Sequence, residues 1–340
     1  MTNKYVVRRK LGEGGFGAVY QVKAKIKPKN CTTKVFALKT EARIKSPDRL
    51  KIEVAVLTAL QGCEEKIRER FATMIDRGQT KDFVFIIMTL VGPSLQIIRD
   101  NILHKEFTPA TTFKIALESL ESIKCLHSEL GYIHRDIKPG NFTIGNNKNF
   151  TKIILIDFGI ARKFMNKDNM LRLPRKEVKF LGTVRYASRR CHKNEEQGRQ
   201  GDMESWFYLI CDLYNQRRCH KNEEQGRQGD IESWFYLICD LYNQAVLPWR
   251  RVREKDLVFA LKNDLRENDG NHKCFVEQLP KEFRDIMLYV DKLSYEDIPD
   301  YHHLKALIEQ AAKGMNVDLM QKYDWEIYGP PPLQDSEDEN

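Results

Sequence analysis

The sequence lacks the features that direct a chain into or across a membrane. No apolar run approaches the roughly 18 residues of a transmembrane helix, and residues 1–10 contain no apolar region typical of a signal peptide. The eight cysteines include no Cys-x-x-Cys pair, which argues against a disulfide framework or a thiol–disulfide active site. We therefore expect reduced thiols, no membrane partner and a cytoplasmic location, with a nuclear one also open.

The charge is strongly positive outside the last few residues. The net charge is +8, although residues 335–340 carry four acidic side chains and no basic one. A positive field favours acidic or phosphorylated partners, and a solvated basic surface explains it equally well. We expect no nucleic-acid partner, because no aromatic platform is interleaved with the basic clusters.

Two short motifs carry the chemistry of phosphoryl transfer. The run His-Arg-Asp-Ile-Lys-Pro-Gly-Asn occupies residues 134–141, and Asp-Phe-Gly occupies residues 157–159. Asp136 can accept a hydroxyl proton, Lys138 can neutralise a phosphate, and Asn141 and Asp157 offer oxygen ligands to Mg²⁺. Their order and spacing resemble those of a protein kinase.

A glycine motif near the start fits the same chemistry. Gly12, Gly14 and Gly17 form Gly-x-Gly-x-x-Gly, which alone could also open a Rossmann helix. Residues 18–24 alternate between apolar and polar side chains, the period of a β-strand. The glycines are therefore predicted to lie in a strand–turn–strand hairpin, where bare backbone can close over phosphates.

A lysine and a glutamate are predicted to clamp the nucleotide. Residues 35–39 form a short strand that ends at Lys39, and residues 49–60 form a helix that contains Glu53. Glu41 is a rival partner for Lys39, but it lies only two residues away.

Further elements follow in the order of a kinase. Residues 83–88 are predicted to form a buried strand, and Gly and Pro in residues 89–95 break it at a hinge. Met88 would lie behind the adenine pocket or belong to the ordinary core. Helices are predicted at residues 108–130, 254–265, 281–293 and 301–313 from their apolar periodicity.

Later motifs narrow the resemblance. Gly-Thr-Val-Arg-Tyr-Ala-Ser at residues 182–188 and Gly-Pro-Ser-Leu at residues 92–95 resemble the casein kinase 1 family. His-Lys-Asn at 192–194, Pro-Asp-Tyr at 299–301 and Tyr-Asp-Trp at 323–325 resemble its tau-tubulin kinase branch. The resemblance covers roughly residues 5–328, apart from an internal repeat.

The resemblance implies an α+β, bilobal kinase fold with a small β-rich N-lobe and a larger helical C-lobe. The implied domain covers residues 1–328, with an N-lobe over about 1–88, a hinge at 89–92, a C-lobe over 93–328, and a disordered acidic tail at 329–340. It implies a monomer that transfers phosphate from ATP with Mg²⁺ to serine or threonine of protein substrates, with cytoskeletal proteins as candidates.

The resemblance also implies roles for individual residues. Asp136 is implied as the catalytic base, Lys138 and Thr183 as its neighbours, and Asn141 and Asp157 as metal ligands. The residues implied to bind the nucleotide are Leu11, Gly12, Gly14, Gly17, Val19, Ala37, Lys39, Glu53, Met88, Leu90 and Asp157. Gly140 and Thr143 depart from the family pattern, and the Thr143 hydroxyl under adenine is expected to weaken ATP binding slightly.

Residues 164–181 contain no Ser, Thr or Tyr. Many kinases order this segment by phosphorylation, so we expect an enzyme that needs no phosphate there. The segment and its surroundings are instead rich in cations that could recognise an acidic or phosphate-primed substrate: Lys163, Arg172, Arg175, Lys176, Lys179, Arg185, Arg250, Arg251, Arg253 and Lys255.

Residues 189–216 (the first copy) recur as residues 217–244 (the second copy), with Met203 replaced by Ile231. A kinase needs one such segment, whose aspartate, Asp202 or Asp230, supports the loop of residues 134–141 (the catalytic loop). Asp230 is the expected one, because its copy leads directly into Leu-Pro-Trp at 247–249. The five large apolar side chains of the first copy must then pack somewhere else, or the chain is poorly stable and prone to associate.

Two alternatives to an active protein kinase stay open at this point. The 28-residue duplication could leave a catalytically impaired, kinase-like scaffold. A separate hypothesis on the origin of the duplication is that two alternative exons are joined in one chain. A small-molecule kinase is disfavoured by the protein-substrate motif at residues 182–188.

Overall fold

A computed structural model describes residues 4–14, 17–28, 31, 33–43, 49–146, 149–166, 168, 170–214, 247–267 and 278–329. The second copy, with Asp230, lies outside these residues, and so do residues 330–340 of the predicted acidic tail.

The N-terminal part is a five-stranded antiparallel sheet. Its strands lie in the order β1-β2-β3-β5-β4, with bounds β1 Tyr5–Gly14, β2 Gly17–Ala24, β3 Val35–Ala42, β4 Met74–Gln79 and β5 Phe83–Thr89. In the predicted glycine hairpin, Gly14 pairs with Gly17 and Gly12 with Val19. A Cβ atom on Gly17 would lie 1.8 Å from the Thr40 carbonyl oxygen, so only glycine allows the two backbones to approach this closely.

Helix α1 (Arg49–Leu60) brings one charged side chain to the sheet. Its buried residues recur at intervals of three and four, as in an amphipathic helix, and are Leu50, Glu53, Val56, Leu57 and Leu60. Glu53 therefore lies on the apolar face that packs against β4 and β5. In the sheet, Lys39 lies opposite Val19 and Ile86.

The rest of the described chain is mainly helical. Its helices are α2 Glu65–Arg68, α3 Leu95–Ile97 (continued by a π-helical turn at Ile98–Leu103), α4 Pro109–Ser128, α5 Arg189–His192, α6 Arg199–Leu213, α7 Lys255–Glu267, α8 Lys281–Lys292 and α9 Tyr301–Gly314. Short 3₁₀ turns cover Pro139–Asn141 and Asp324–Tyr328. Two small antiparallel pairs join β6 (Tyr132–Ile133) to β9 (Arg162–Lys163) and β7 (Phe142–Ile144) to β8 (Ile153–Leu155). Among the described helices, none has both the length and the apolarity to cross a bilayer.

Helix α6 is the centre of the helical core. Every one of its residues is buried, and it packs against α4 and α8. Trp206 donates its indole N–H to the Ser119 hydroxyl of α4 at 3.0 Å. The side chains of Trp206, Phe207, Leu209, Ile210 and Leu213, which we expected to be surplus, have no solvent exposure.

The expectation that Asp230 supports the catalytic loop is therefore wrong, since Asp202 of the first copy takes this place. Its carboxylate accepts the backbone N–H groups of His134 and Arg135 at 2.6 and 2.8 Å. The reason is chain connectivity. The first copy continues directly from Ser188, whose hydroxyl caps α5 by accepting the Cys191 N–H. The second copy follows Gln216 and has no serine at the equivalent position.

Candidate active site

A single cleft of about 1100 Å³ collects the predicted site residues. Its walls include all four predicted catalytic residues and every predicted nucleotide-binding residue except Gly14, which pairs with Gly17 at the end of β1. The predicted hinge residues 89–92 also line it. Its volume is that of a small-molecule site, sufficient for a nucleotide.

Lys39 is held between two carboxylates. Its Nζ atom lies 2.6 Å from Glu53 Oε2 and 2.8 Å from Asp157 Oδ1. Burial alone lowers the pKa of this lysine, but the two carboxylates outweigh burial and raise the pKa above its usual value. The ammonium group is thus charged and placed to meet phosphate oxygens. Glu41, the rival partner, instead accepts the Leu50 N–H at 2.6 Å.

The predicted metal ligands lie at one end of a hairpin. Strands β7 and β8 pair Phe142 with Leu155, so Asn141 precedes the first strand where Asp157 follows the second. The Ile156 N–H donates to the Asn141 carbonyl at 2.9 Å, which ties the two ends together. Asp157 adopts a left-handed backbone, with φ 66°, a strained conformation of the kind that is concentrated at functional sites.

The donor atoms at this hairpin end fit a divalent cation. Burial raises the pKa of Asp157, but Lys39 outweighs it and brings the pKa to about 2, so the carboxylate is ionised. Asn141 donates its amide N–H groups to the Asp136 carbonyl and Oδ2 at 2.8 and 3.2 Å. Its amide oxygen is therefore the atom left for a hard cation, which prefers oxygen ligands.

Asp136, Lys138 and Thr183 form one hydrogen-bonded group. Lys138 Nζ lies 2.6 Å from Asp136 Oδ2 and donates to Thr183 Oγ1 at 2.9 Å. The Thr183 hydroxyl donates to Asp136 Oδ1 at 2.7 Å. This group fixes the carboxylate within the cleft, where it can receive a proton from a substrate hydroxyl.

Asp202 supports the catalytic loop by accepting hydrogen bonds from its backbone N–H groups. Its side chain is 1% exposed and also lies 2.9 Å from His127 Nε2, while His127 Nδ1 lies 2.7 Å from the Tyr301 hydroxyl. Burial lowers the pKa of His127, so its neutral ring donates to Asp202 and accepts from Tyr301. These bonds stabilise Arg135 in a left-handed conformation with φ 70°.

Gly182 allows the segment that follows it, residues 183–187 (the substrate-side segment), to approach this loop. Its φ is +116°, and a Cβ atom would lie 2.6 Å from the Arg135 carbonyl oxygen. A side chain at this position would push Thr183 away from Asp136. The two departures from the family pattern are mild by comparison. A Cβ on Gly140 would make an ordinary contact, and the Thr143 hydroxyl donates to the Ile154 carbonyl at 3.3 Å rather than remaining unpaired under adenine.

Several predicted substrate cations already have acidic partners. Arg175 makes a bidentate pair with Glu196 at 2.6 and 3.1 Å. Arg250 lies 2.8 Å from both Glu106 and Asp212. In contrast, Lys176, Lys179, Arg251 and Arg253 are exposed, and no ion pair joins Arg185 to any described carboxylate.

Sequence reasoning missed the residues that act from a distance. Glu196, Lys262 and the His127–Tyr301 pair carry no local motif, because their partners lie far away in the sequence. The motif at residues 247–249 gives Trp249 no role of its own, yet its indole N–H donates to the Arg185 carbonyl at 2.9 Å. A polar side chain at an apolar position of a helix, such as Lys262, is the one signal that could have been noticed.

Comparison with known proteins supports the same chemistry. Residues 5–287 match the protein kinase domain family model. A probable serine/threonine-protein kinase of Dictyostelium discoideum is 30% identical over 95% of the chain, which spans 57% of that protein. The serine/threonine-protein kinase spe-6 of Caenorhabditis elegans is 29% identical over 95% of the chain, which spans 76% of it. Casein kinase I homolog 3 of Schizosaccharomyces pombe is 30% identical over 95% of the chain, which spans 65% of it.

These matches confirm the predictions of an α+β kinase fold and of a serine/threonine kinase. They give no support to the scaffold alternative, and a family of this kind uses ATP and a divalent metal ion. The chain belongs to the protein kinase domain family, as a serine/threonine kinase that acts on proteins.

Proposed function

We propose that this chain transfers the γ-phosphoryl group of ATP, bound with Mg²⁺, to serine or threonine in acidic or phosphate-primed segments of protein substrates. We further propose that it is a monomer of the cytoplasm or nucleus, that it belongs to the tau-tubulin kinase branch of the casein kinase 1 family, and that cytoskeletal proteins are candidate substrates. The observation that carries the proposal is the union, in one cleft, of the Lys39 clamp with the Asp136–Lys138–Thr183 group.

Each of these residues has a distinct task. Lys39, held by Glu53, binds phosphate oxygens and orients the nucleotide. Asp136 accepts the proton of the substrate hydroxyl, and Lys138 stabilises the charge that develops on the transferred group. Asn141 and Asp157 would hold Mg²⁺, which would supply positive charge to the phosphates when bound.

The peptide is expected to lie along residues 183–187, because this segment begins at Thr183, which is bonded to Asp136. Arg185 lies in this segment, and Lys179 and Arg253 add positive charge without a described acidic partner. Arginine and lysine in such a place bind phosphate or carboxylate by charge-assisted hydrogen bonds. This supports a preference for acidic or phosphorylated peptides.

Arg162 and Arg175 already have a counter-charge within the chain. Glu196, with a side chain only 2% exposed, pairs with Arg175 at 2.6 Å and with Arg162 at 3.3 Å. Arg135 belongs to the same positive cluster: burial, Arg162 and Arg175 lower its pKa to about 10, and Glu196 opposes this shift. In other kinases a phosphate supplies the negative charge that such arginines need. Glu196 supports activity without phosphorylation.

Transfer of radiolabel from ATP to an acidic protein tests the chemistry, with Asp136→Asn as the control. We expect the substitution to reduce kcat by about 10²- to 10⁴-fold, the usual contribution of a general base, with little change in the KM for ATP. Transfer that persists in the variant would discredit Asp136 as the base.

A peptide panel tests the substrate preference. Peptides with and without an upstream phosphoserine, matched in all other residues, should differ in kcat/KM by at least fivefold. Equal values would remove the preference while leaving the kinase activity in place.

A further inference from the structure

A lysine far from the catalytic motifs is completely buried beside the substrate-side segment. Lys262 of α7 has 0% exposure, which is rare for lysine unless the ammonium is paired. Its Nζ atom donates to the Ala187 carbonyl at 2.6 Å and the Val184 carbonyl at 3.0 Å. Within the described residues, no carboxylate oxygen lies within ion-pair distance of this atom. The ammonium group thus donates to two backbone carbonyls of one short segment, residues 184–187.

The surroundings keep this ammonium group in place. It lies 4.7 Å from the centre of the Tyr208 ring and 5.5 Å from that of Trp249, within the range of cation–π attraction. His192 lies 3.2 Å away and stacks on Phe259 with ring centres 5.5 Å apart. The buried acid Glu204 is instead bonded to Arg189 and Tyr208.

The other residues of this segment are also bonded to the rest of the domain. The Arg185 carbonyl accepts from the Trp249 indole N–H at 2.9 Å, and the Tyr186 hydroxyl donates to Asp212 at 2.8 Å. Together with Thr183, bonded to Asp136, every residue from 183 to 187 has a bond to the body of the domain. Lys262 makes two of these bonds, to the Val184 and Ala187 carbonyls, so its removal loosens the segment at these two positions while Arg185 and Tyr186 stay attached. His192, 3.3 Å from the Val184 carbonyl, would be the remaining side-chain partner there.

We propose that Lys262 is a positioning residue for the protein substrate, because its ammonium group fixes the backbone of residues 184–187 on which the peptide lies. The proposal rests on the proposed function in taking that segment as the peptide-binding surface. Lys262 itself lies behind the segment and touches neither the nucleotide cleft nor its lining residues Lys39 and Asp157. Peptide binding should therefore depend on it, and ATP binding should not.

The test is steady-state kinetics of Lys262→Met with varied peptide and varied ATP. We expect the KM for peptide to increase about tenfold or more, with the KM for ATP within twofold of the wild type. Lys262→Gln keeps two N–H donors without the charge, so its KM for peptide should lie between those of the wild type and Lys262→Met. Lys281→Met is the matched control, because Lys281 is exposed at the start of α8, and it should behave as the wild type.

A second route avoids the risk that Lys262→Met does not fold. Trp249→Phe keeps the ring but removes the N–H bond to the Arg185 carbonyl, and it should raise the KM for peptide selectively as well. Unchanged peptide KM values in the soluble variants, or equal increases for peptide and ATP, would overturn the proposal. If the wild type itself transfers no phosphate to any protein, the proposed function fails and this inference fails with it.

Discussion

The duplicated segment allows a stringent test, because it offers two aspartates in the same local sequence. The perturbation is Asp202→Asn, with Asp230→Asn as its matched control. In the folded chain, Asp202 accepts from the backbone N–H groups of His134 and Arg135 and from the His127 ring. An asparagine of the same shape keeps one acceptor oxygen and turns an NH₂ group toward a donor.

The expected loss follows from these bonds. One charge-assisted hydrogen bond to a buried backbone N–H is worth about 1.5–3 kcal/mol, and the unsatisfied donor left behind costs about 1–3 kcal/mol. We therefore expect Asp202→Asn to lower the free energy of unfolding by roughly 2.5–6 kcal/mol, a large part of a domain's total of about 5–15 kcal/mol.

The effect on catalysis should be as clear. Arg135 is strained at φ 70°, and without Asp202 the catalytic loop can relax and move Asp136. Misplacement of a catalytic group by about 1 Å can cost roughly 10²-fold in rate, so we expect kcat to fall by that order. Asp230→Asn should leave both kcat and Tm unchanged.

Thermal unfolding followed by circular dichroism, together with phosphate transfer to an acidic protein, measures both quantities. A wild-type Tm for Asp202→Asn, or equal losses in the two variants, would refute the assignment of Asp202. The second outcome would mean that the two copies share the position.

Three further predictions rest on single features. Gly182→Ala should reduce kcat by about tenfold or more while ATP still binds, because its Cβ would meet the Arg135 carbonyl at 2.6 Å; normal kinetics would contradict this close approach. Phosphatase treatment should leave the wild-type rate unchanged. Glu196→Gln should lower the rate, and the second-copy control Glu224→Gln should not. A wild type that loses activity on phosphatase treatment would contradict the proposal that Glu196 takes the place of an activating phosphate. Burial lowers the pKa of Lys262 from 10.5 to about 7, so between those values the unfolded chain binds more protons than the folded one, and stability rises with pH. The neutral amine formed in the folded chain keeps two N–H donors for the Val184 and Ala187 carbonyls. Urea unfolding at pH 7 and pH 9 should show the wild type gaining stability relative to Lys262→Met as pH increases, and a constant difference would contradict the lowered pKa.

Much of the fold and site could be predicted because the relevant information is local. The helix at Arg49–Leu60 and the hairpin around Gly14 and Gly17 follow from apolar periodicity and glycine placement. Asn141 and Asp157 lie near each other because they flank the two strands of one short hairpin. The sequence therefore determined the chemistry and most elements.

The tertiary structure decided questions that depend on distant partners. The two copies differ at one position, so local preference cannot choose between them. Connection to Ser188 and burial of the whole of α6 place the first copy in the core. In the same way, acidic residues distant in the sequence pair with Arg175 and Arg250. Only the packing of α7 against the substrate-side segment shows that Lys262 is buried on two carbonyls, because burial of a charge depends on every group that surrounds it.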